Sequence, residues 1–577
     1  MDSKQRRAST RRKRSTDRTC TRSAAAAFAM AWSLQAWSFD IATGSETKVR
    51  WDNTFKYSSS WRLKDRSSEL IADSNQDDGD RNFSKGLVSS RVDWLSELDV
   101  TYRNFGARVS GAAWYDSVYN RGNDHDSPGT VNSFSVPYNE FTTDTKDLHG
   151  RKAELLDAFV FGNFDVGESA NLSLRFGRHT VIYGESLFFG ANGIANGQGS
   201  VDYVKLLSVP NTQFKELLRP APQLSGQLQV GPNLSFGAYY QFRWERNRIP
   251  AAGSYFSTVD FVGEGAERVF LQNPLLPPNF ALYHGDDRKA KNSGQGGFQV
   301  RFRPEGMDTD FGLYAIRYHD KNPQVYLSPG CVPNPFGPVP PLLQLSGTCN
   351  VLAGGSQFGQ FGFVYPENVR AYGASFSTVL GTTNVAGEFS VRHNAILVSN
   401  AATILPGTAF DNDANNPFAV GNSGHAQISW IHSFGASAMW DGASLMGEVA
   451  WNRLLSITRN PAMLDPNATR DAWGFRMVFE PTYYQVAPGL DISIPVGLGY
   501  NPKGRSSTVA NFNGGVDRGG DVSIGVNGEY EKRWKLGLNF THYIGDAGVA
   551  LIAGQGPSFK QALKDRDFVS FNATYSF

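Results

Sequence analysis

Apolar and polar side chains alternate through the last residues of the chain. Val569, Phe571, Ala573, Tyr575 and Phe577 fall on one side of an extended strand, and Ser570, Asn572, Thr574 and Ser576 on the other. Nothing follows Phe577 to bury that apolar face in a soluble core, which suits a strand whose apolar side meets lipid. Segment 234–245 repeats the pattern, with apolar even positions and odd ones small, polar or charged. Strands of this kind are predicted at 49–63, 87–102, 105–119, 153–164, 172–180, 223–230, 234–245, 297–303, 311–319, 370–380, 384–397, 427–440, 444–457, 471–484, 491–500, 522–530, 534–543 and 567–577.

The series comes to about 18 strands, an even number within the range of bacterial barrels. Its connections alternate: strands 2 and 3, 4 and 5, and so on to 16 and 17 share tight turns, while every other junction is long. That parity leaves both chain ends on the tight-turn side. An unpaired sheet edge cannot be hydrated inside hydrocarbon, so membrane-spanning strands must close on themselves. The predicted fold class is all-β, a transmembrane antiparallel β-barrel with long external loops. Tyr530 and Trp534 flank the turn 531–533, where an interfacial aromatic girdle belongs.

Composition agrees. The chain is 40% hydrophobic and 13% aromatic and has no run of eighteen apolar residues beyond its N-terminus, so a helical membrane protein is not expected. Residues 1–38 differ from the rest: a basic stretch from Lys4 to Arg22 precedes a short Ala-rich apolar region ending in Ala36-Trp37-Ser38. This is the layout of a secretory signal peptide cut after Ser38, leaving 39–577 as the barrel; an N-terminal helix that stays attached is the alternative. Cleavage leaves 46 basic against 52 acidic residues, a formal charge of −6. No basic face remains for phosphates, so no nucleic-acid partner is expected.

Cys331 and Cys349 flank a Pro-rich stretch, 320–367, that reads as a stiffened external loop. In an oxidising compartment a disulfide between them is the natural expectation. The run 73–80 has the look of a calcium loop, but its Gly comes one place late and the twelfth position is Ser84 instead of Glu. It reads as an acidic surface loop, with weak divalent binding as the lesser alternative. The nine His residues are scattered without ligand spacing, and neither a cofactor nor a metal site is expected.

The candidate functional region is 181–221, a long connection that is not simply polar. Tyr183, Glu185, Phe188 and Phe189 lead into a Gly- and Asn-rich run, and Asn211 is placed to cap a short helix carrying Phe214, Leu217 and Leu218. Loops of this length with apolar content are usually functional or folded back on something. Folding inward to plug or gate the lumen would bury these side chains; packing outside on neighbouring loops is the other reading. Alternation sets Ser173, Arg175 and Gly177 on the inward wall, with Arg243 and Glu245, while Arg178 and Glu185 lie near the loop's departure. Such charges polarise a lumen for an amphipathic or anionic solute, or else pair with the inward loop to hold it.

The chain resembles the bacterial outer-membrane proteins grouped as domain of unknown function 1302. The resemblance is densest through Arg175-Phe176-Gly177-Arg178-His179-Thr180-Val181-Ile182-Tyr183-Gly184-Glu185-Ser186, and continues in Asn192-Gly193-Ile194, Leu217-Leu218-Arg219-Pro220, Tyr240 to Glu245 and Tyr255 to Thr258. Asp77 to Phe83 and the final strand match as well. The family usually carries Gln where this chain has His179, and Trp where it has Tyr183. The resemblance implies an outer-membrane barrel working with a periplasmic lipoprotein-like partner and an inner-membrane transporter of the resistance-nodulation type. The last strand is also similar to the closing strand of bacterial outer-membrane barrels, in which Phe571, Tyr575 and Phe577 would be the signal read by the barrel assembly machinery.

These features point to a transport protein of a Gram-negative outer membrane, embedded in its lipids and moving hydrophobic or amphipathic solutes past an inward loop. A diffusion porin for small polar solutes and a structural or adhesive barrel are the alternatives. An enzyme is not expected: Gly184-Glu185-Ser186-Leu187-Phe188 opens like a nucleophile elbow but lacks the second Gly.

Overall fold

A computed structural model describes residues 39–42, 46–209, 214–272, 276–277, 279–333 and 342–577. The signal-peptide segment 1–38, Asn211 and most of the Pro cluster of 320–367 lie outside the described residues.

The wall strands are β1 (Thr47–Arg62), β2 (Gly86–Tyr102), β3 (Phe105–Asp116), β4 (Arg151–Val166), β5 (Ala170–His179), β6 (Ala221–Val230), β7 (Leu234–Gln241), β8 (Gln295–Phe302) and β9 (Thr309–Tyr318). They continue as β10 (Val369–Leu380), β11 (Thr383–Ile396), β12 (Val420–Phe434), β13 (Gly442–Arg459), β14 (Asp471–Ala487), β15, β16 (Gly520–Tyr530), β17 (Trp534–Ile544) and β18 (Phe568–Ser576). β15 comes in two pieces, Leu490–Ser493 and Val496–Lys503, because Pro495 has no N–H for the ladder. Each strand pairs antiparallel with the next, and β18 pairs back onto β1 from Thr54↔Ser576 to Arg62↔Phe568. The sheet has 20 segments; joining the two pieces of β15 and setting aside Phe39–Ala42 leaves 18 wall strands. Phe39–Ala42 pairs with the part of the β1 edge, 48–51, that β18 does not reach.

Alternation along these strands separates two media. Phe105, Val160, Phe176, Leu224, Leu313 and Leu538 are exposed on the outer face, as lipid-facing positions should be. Ser110, Gln223, Gln299, Gln427 and Asn452 are buried on the inner one. At the short-turn rim Phe577 exchanges both main-chain hydrogen bonds with Asn53, at 2.8 and 2.9 Å, and its ring lies 6.0 Å from Phe55 and 5.6 Å from Tyr575.

At the other rim the long connections fold on one another. Arg268–Phe270, Ala281–His284, Gln357–Val364, Gln324–Pro329 and Ala402–Thr403 form a five-stranded sheet. Beneath it Trp244, Leu282, Phe361, Phe363 and Tyr365 make a core that includes Cys331 and Cys349, which are joined as a disulfide. A second core gathers Phe83, Tyr119, Phe141, Tyr255 and Phe568. The described parts of 320–367 are therefore folded into a dome, where a stiff loop was expected: Gln324–Pro329 and Gln357–Val364 supply two strands of the sheet.

Three strand ends differ from expectation. β3 stops at Asp116, because Val118 and Tyr119 turn into the dome core. β7 stops at Gln241, where its partner β8 begins at Gln295. β12 occupies 420–434 instead of 427–440: its upper part, Val420 to Ala426, is too small and polar to show an apolar face, yet it is held by the ladders to β11 and β13. Trp440 sits in the turn, its indole N–H bonded to the Gly435 carbonyl at 3.2 Å.

Candidate functional site

The chain leaves β5 at His179 and crosses the inside of the barrel. Tyr183 comes first, buried with its ring 5.4 Å from Tyr239 on β7 and 6.1 Å from Tyr314 on β9. The main-chain N–H of Glu185 then donates to Glu388 on β11 at 2.8 Å, and that of Ile194 to the other oxygen of the same carboxylate at 2.9 Å. The N–H groups of Leu187, Phe188 and Phe189 all donate to Glu448 on β13, the first at 3.2 Å and the last at 2.8 Å. Arg392 returns the favour from β11, donating to the carbonyls of Ala191, Asn192 and Gly193 at 2.8–2.9 Å. Asn192 donates to Gln427 on β12 at 3.1 Å. Phe189 is buried against Ala450 of β13, Ala472 of β14 and Phe512. β5 and β14 lie opposite each other in the ring, so this segment is a strap strung across the lumen.

Two glycines permit the approach. Gly184 has φ +89°, and a Cβ there would lie 2.3 Å from a Glu388 oxygen; a Cβ on Gly193 would lie 2.2 Å from the other. The strap then turns back. Asp202 caps the short helix Tyr203–Ser208 by accepting from the Lys205 N–H at 3.0 Å, Ser200–Val201 pairs with Leu218–Arg219, and the chain enters β6. The helix expected near Phe214 is a single 3₁₀ turn, Phe214–Glu216, with Phe214 and Leu217 buried under Ala195 and Val201.

The predicted residues do not all share one place. Tyr183, Glu185, Phe188 and Phe189 are in the strap, with the Glu185 carboxylate 3.0 Å from Arg301 on β8. Arg178 and Glu245 meet at its root, 2.7 Å apart, within a network in which Arg219 lies 3.4 Å from Glu154 and Arg248 bridges Glu154 and Asp202. His179 is 1% exposed; its Nδ1 lies 3.1 Å from the Gly177 carbonyl and its Nε2 2.7 Å from the Ser225 hydroxyl, so it pins the strand end. Arg175 stays on the inner wall beside Ser173, as expected. Arg243 and Glu245 do not: the ladder ends at Gln241, Phe242 and Arg243 are both exposed, and Glu245 serves the strap's root. Sequence reasoning missed Glu388, Arg392 and Glu448, although each is a charge in the inward row of a long strand.

Above the lumen, the supposed acidic surface loop is the dome's interior. Asp77 and Asp80 are fully buried and Asp78 nearly so. Arg62, 1% exposed, lies 2.5 Å from Asp80 and 2.9 Å from Asp565, while Arg566 donates to the carbonyls of Tyr255 and Ser257. His125 Nε2 lies 3.0 Å from Asp78, and its Nδ1 accepts from the Ser127 N–H at 3.2 Å, so Nε2 carries the proton. Asp77, Asp78 and His125 bring ligand-type atoms within 4.8 Å of one another. The trio closes by hydrogen bonds, His125 with Asp78 and Ser127, and Asp77 with Arg81. Burial, then the neighbouring carboxylates, push Asp78 and Asp260 well above the usual carboxylate range. Burial pushes His125 down to about 4, and burial with the Asp80 charge pushes Asp565 up to about 6.

No curated protein matches this sequence significantly. Among solved structures the chain is similar to Acinetobacter baumannii OccAB1, at 11% identity and a TM-score of 0.40 over 92% of this chain and 96% of that one. It is similar to Pseudomonas aeruginosa OccK2 (OpdF) in complex with glucuronate, at 9% identity and a TM-score of 0.38 over 92% and 98%. The outer membrane channel DcaP of Acinetobacter baumannii aligns at 8% identity and a TM-score of 0.34 over 94% and 100%. The family model described as "Protein of unknown function (DUF1302)" matches residues 19–577, and the chain belongs to that family.

Proposed function

We propose that this chain is an outer-membrane transport protein that carries hydrophobic or amphipathic solutes through its lumen, with segment 181–221 as the gate. The observation that carries this reading is the anchoring of the strap's main chain on the far wall by Glu388, Arg392 and Glu448. Such a hold is strong but reversible, since each hydrogen bond to a charged group contributes roughly 1.5–3 kcal/mol. The aromatic rings around the strap, Tyr183, Tyr239, Tyr314 and Phe188, favour a solute with an apolar part. The paired charges of the wall, such as Arg108 with Asp99 and Arg476 with Asp521, favour the second reading, a diffusion porin for small polar solutes.

A periplasmic partner of the kind the resemblance implies would dock on the short-turn rim, where Arg103 pairs with Glu46 and Arg303 with Asp310. Single-channel conductance of the purified mature protein in planar bilayers, beside a variant lacking residues 189–215, tests the gate. A silent wild type and a large steady pore in the deletion are expected. Free conductance of the wild type, unchanged by the deletion, would replace the gate with the porin.

A further inference from the structure

Between the strap and the short-turn rim, the inner wall of β2 to β5 forms a cleft of about 280 Å³ lined by Asp99, Arg108, Phe159, Phe161, Ser173 and Arg175. Pairing fixes its layout: Arg108 stands opposite Phe159, and Phe161 opposite Arg175. Two features set this patch apart. Phe159 and Phe161 are large apolar rings on inward positions, where the wall outside the Tyr239, Tyr314 and Ile316 patch offers mostly Ser, Gln, Asn and charged groups. Arg175 is exposed to the lumen, and among the described residues no carboxylate lies within ion-pairing distance of it; its guanidinium carbon lies 5.9 Å from the centre of the Phe159 ring.

Its neighbours are otherwise occupied. Arg108 is bound through two bonds of 2.7 Å to Asp99, Arg301 reaches Glu185 at 3.0 Å, and Asp157 is held by Ser110 at 3.0–3.1 Å. Asp99 and Arg108 cancel, so the cleft's own lining carries one surplus positive charge, on Arg175, beside two apolar rings, with the Asp157 carboxylate outside the lining. A guanidinium that stacks on an aromatic face keeps its N–H edge free for a planar anion.

We infer that this cleft is a binding subsite for an amphipathic monoanion, whose carboxylate bonds to Arg175 and whose apolar body lies on Phe159 and Phe161. The inference deepens the transport reading and rests on solutes passing through the lumen. It places the anion's recognition on the wall, independent of whether the strap moves.

Equilibrium binding tests it without transport. The purified mature protein in lipid nanodiscs is titrated calorimetrically with 2-naphthoate and with neutral 2-naphthamide, alongside Arg175→Gln, Arg175→Lys and Phe161→Ala. Heat-modifiable migration in gels checks that each variant is a folded barrel. Wild type is expected to bind the acid at least tenfold more tightly than the amide. Arg175→Gln should erase that preference, Arg175→Lys should restore part of it, and Phe161→Ala should weaken acid and amide alike. Equal affinities in wild type, or an acid preference that survives Arg175→Gln, would overturn the subsite. A strap deletion that leaves conductance unchanged would sink the gate while these binding results still stand, so the two failures are separable.

Discussion

Glu388 and Glu448 each carry more than one main-chain donor, which makes them the positions where single substitutions should tell most. Truncating Glu388 leaves the Glu185 and Ile194 N–H groups buried without an acceptor, at roughly 1–3 kcal/mol each. Glu388→Ala and Glu448→Ala should therefore speed amide exchange across Glu185 to Ile194 by about 10- to 100-fold, since each 1.4 kcal/mol is a factor of ten. Exchange in β1 and β18 should be unchanged; hydrogen exchange read by mass spectrometry decides, and equal protection in the variants would remove the anchoring role. The strap's own members, Tyr183, Glu185, Phe188 and Phe189, were legible because apolar side chains in a long loop need cover. Their anchors were not. Glu448 lies 259 residues from Phe189, and nothing local to either residue announces the pairing. Arg243 misled for the opposite reason, as the alternation of 234–245 runs on in sequence after the ladder has ended.

At the scale of an element, the segment Asp77 to Phe83 shows how local appearance can mislead. Its Asp-rich composition argues for solvent, yet Arg62, Arg566 and His125 arrive from three other parts of the chain and take it inside. Strand alternation was readable because it is a local period of two; this burial depends on partners as distant as Asp565. The cluster's titration has a definite sign. Asp260 faces Asp77, Asp78 and Arg566, and its folded pKa lies above its unfolded value, so its contribution is present at low pH and lost as pH rises through the folded pKa. His125 runs the other way: its folded pKa of about 4 is depressed from an unfolded value near 6.5, so its contribution is present above about 6.5 and lost as pH falls toward 4. Corrected for the intrinsic pH dependence of amide exchange, the protection of 117–132 should thus fall further between pH 7 and pH 4.5 in the wild type than in His125→Gln, which does not titrate. Asp260→Asn keeps an acceptor for the Asp78 N–H, which now sits 3.1 Å from Asp260, and removes the charge. It should gain protection at pH 8, gain less at pH 5, and gain none below the unfolded carboxylate value near pH 4. Equal corrected pH dependence in wild type and His125→Gln, or a loss at pH 8 in Asp260→Asn, would contradict these assignments.

For the molecule as a whole, ring closure was the most legible property, since the parity of short and long connections places both chain ends at one rim before any pairing is known. The structure adds what closure depends on there. Phe577 supplies the last two main-chain bonds of the β18–β1 seam, to Asn53, and a ring set between Phe55 and Tyr575. Inside a bilayer an unpaired edge group costs several kcal/mol, so the final residue contributes as backbone and as side chain. The two roles separate experimentally. Deleting Phe577 removes both; Phe577→Ala keeps the bonds to Asn53 and removes only the aromatic contact. If the ring is what the assembly machinery reads, Phe577→Ala should accumulate outside the outer-membrane fraction nearly as much as the deletion. The purified Phe577→Ala protein, refolded in detergent, should still regain the heat-modifiable mobility of the wild type. If closure of the seam is what matters, Phe577→Ala should reach the membrane like wild type and only the deletion should fail, both in cells and on refolding. Fractionation and gel mobility of the two variants distinguish these outcomes. Wild-type behaviour of both would show that the seam closes on the pairs from Thr54 to Arg62 alone.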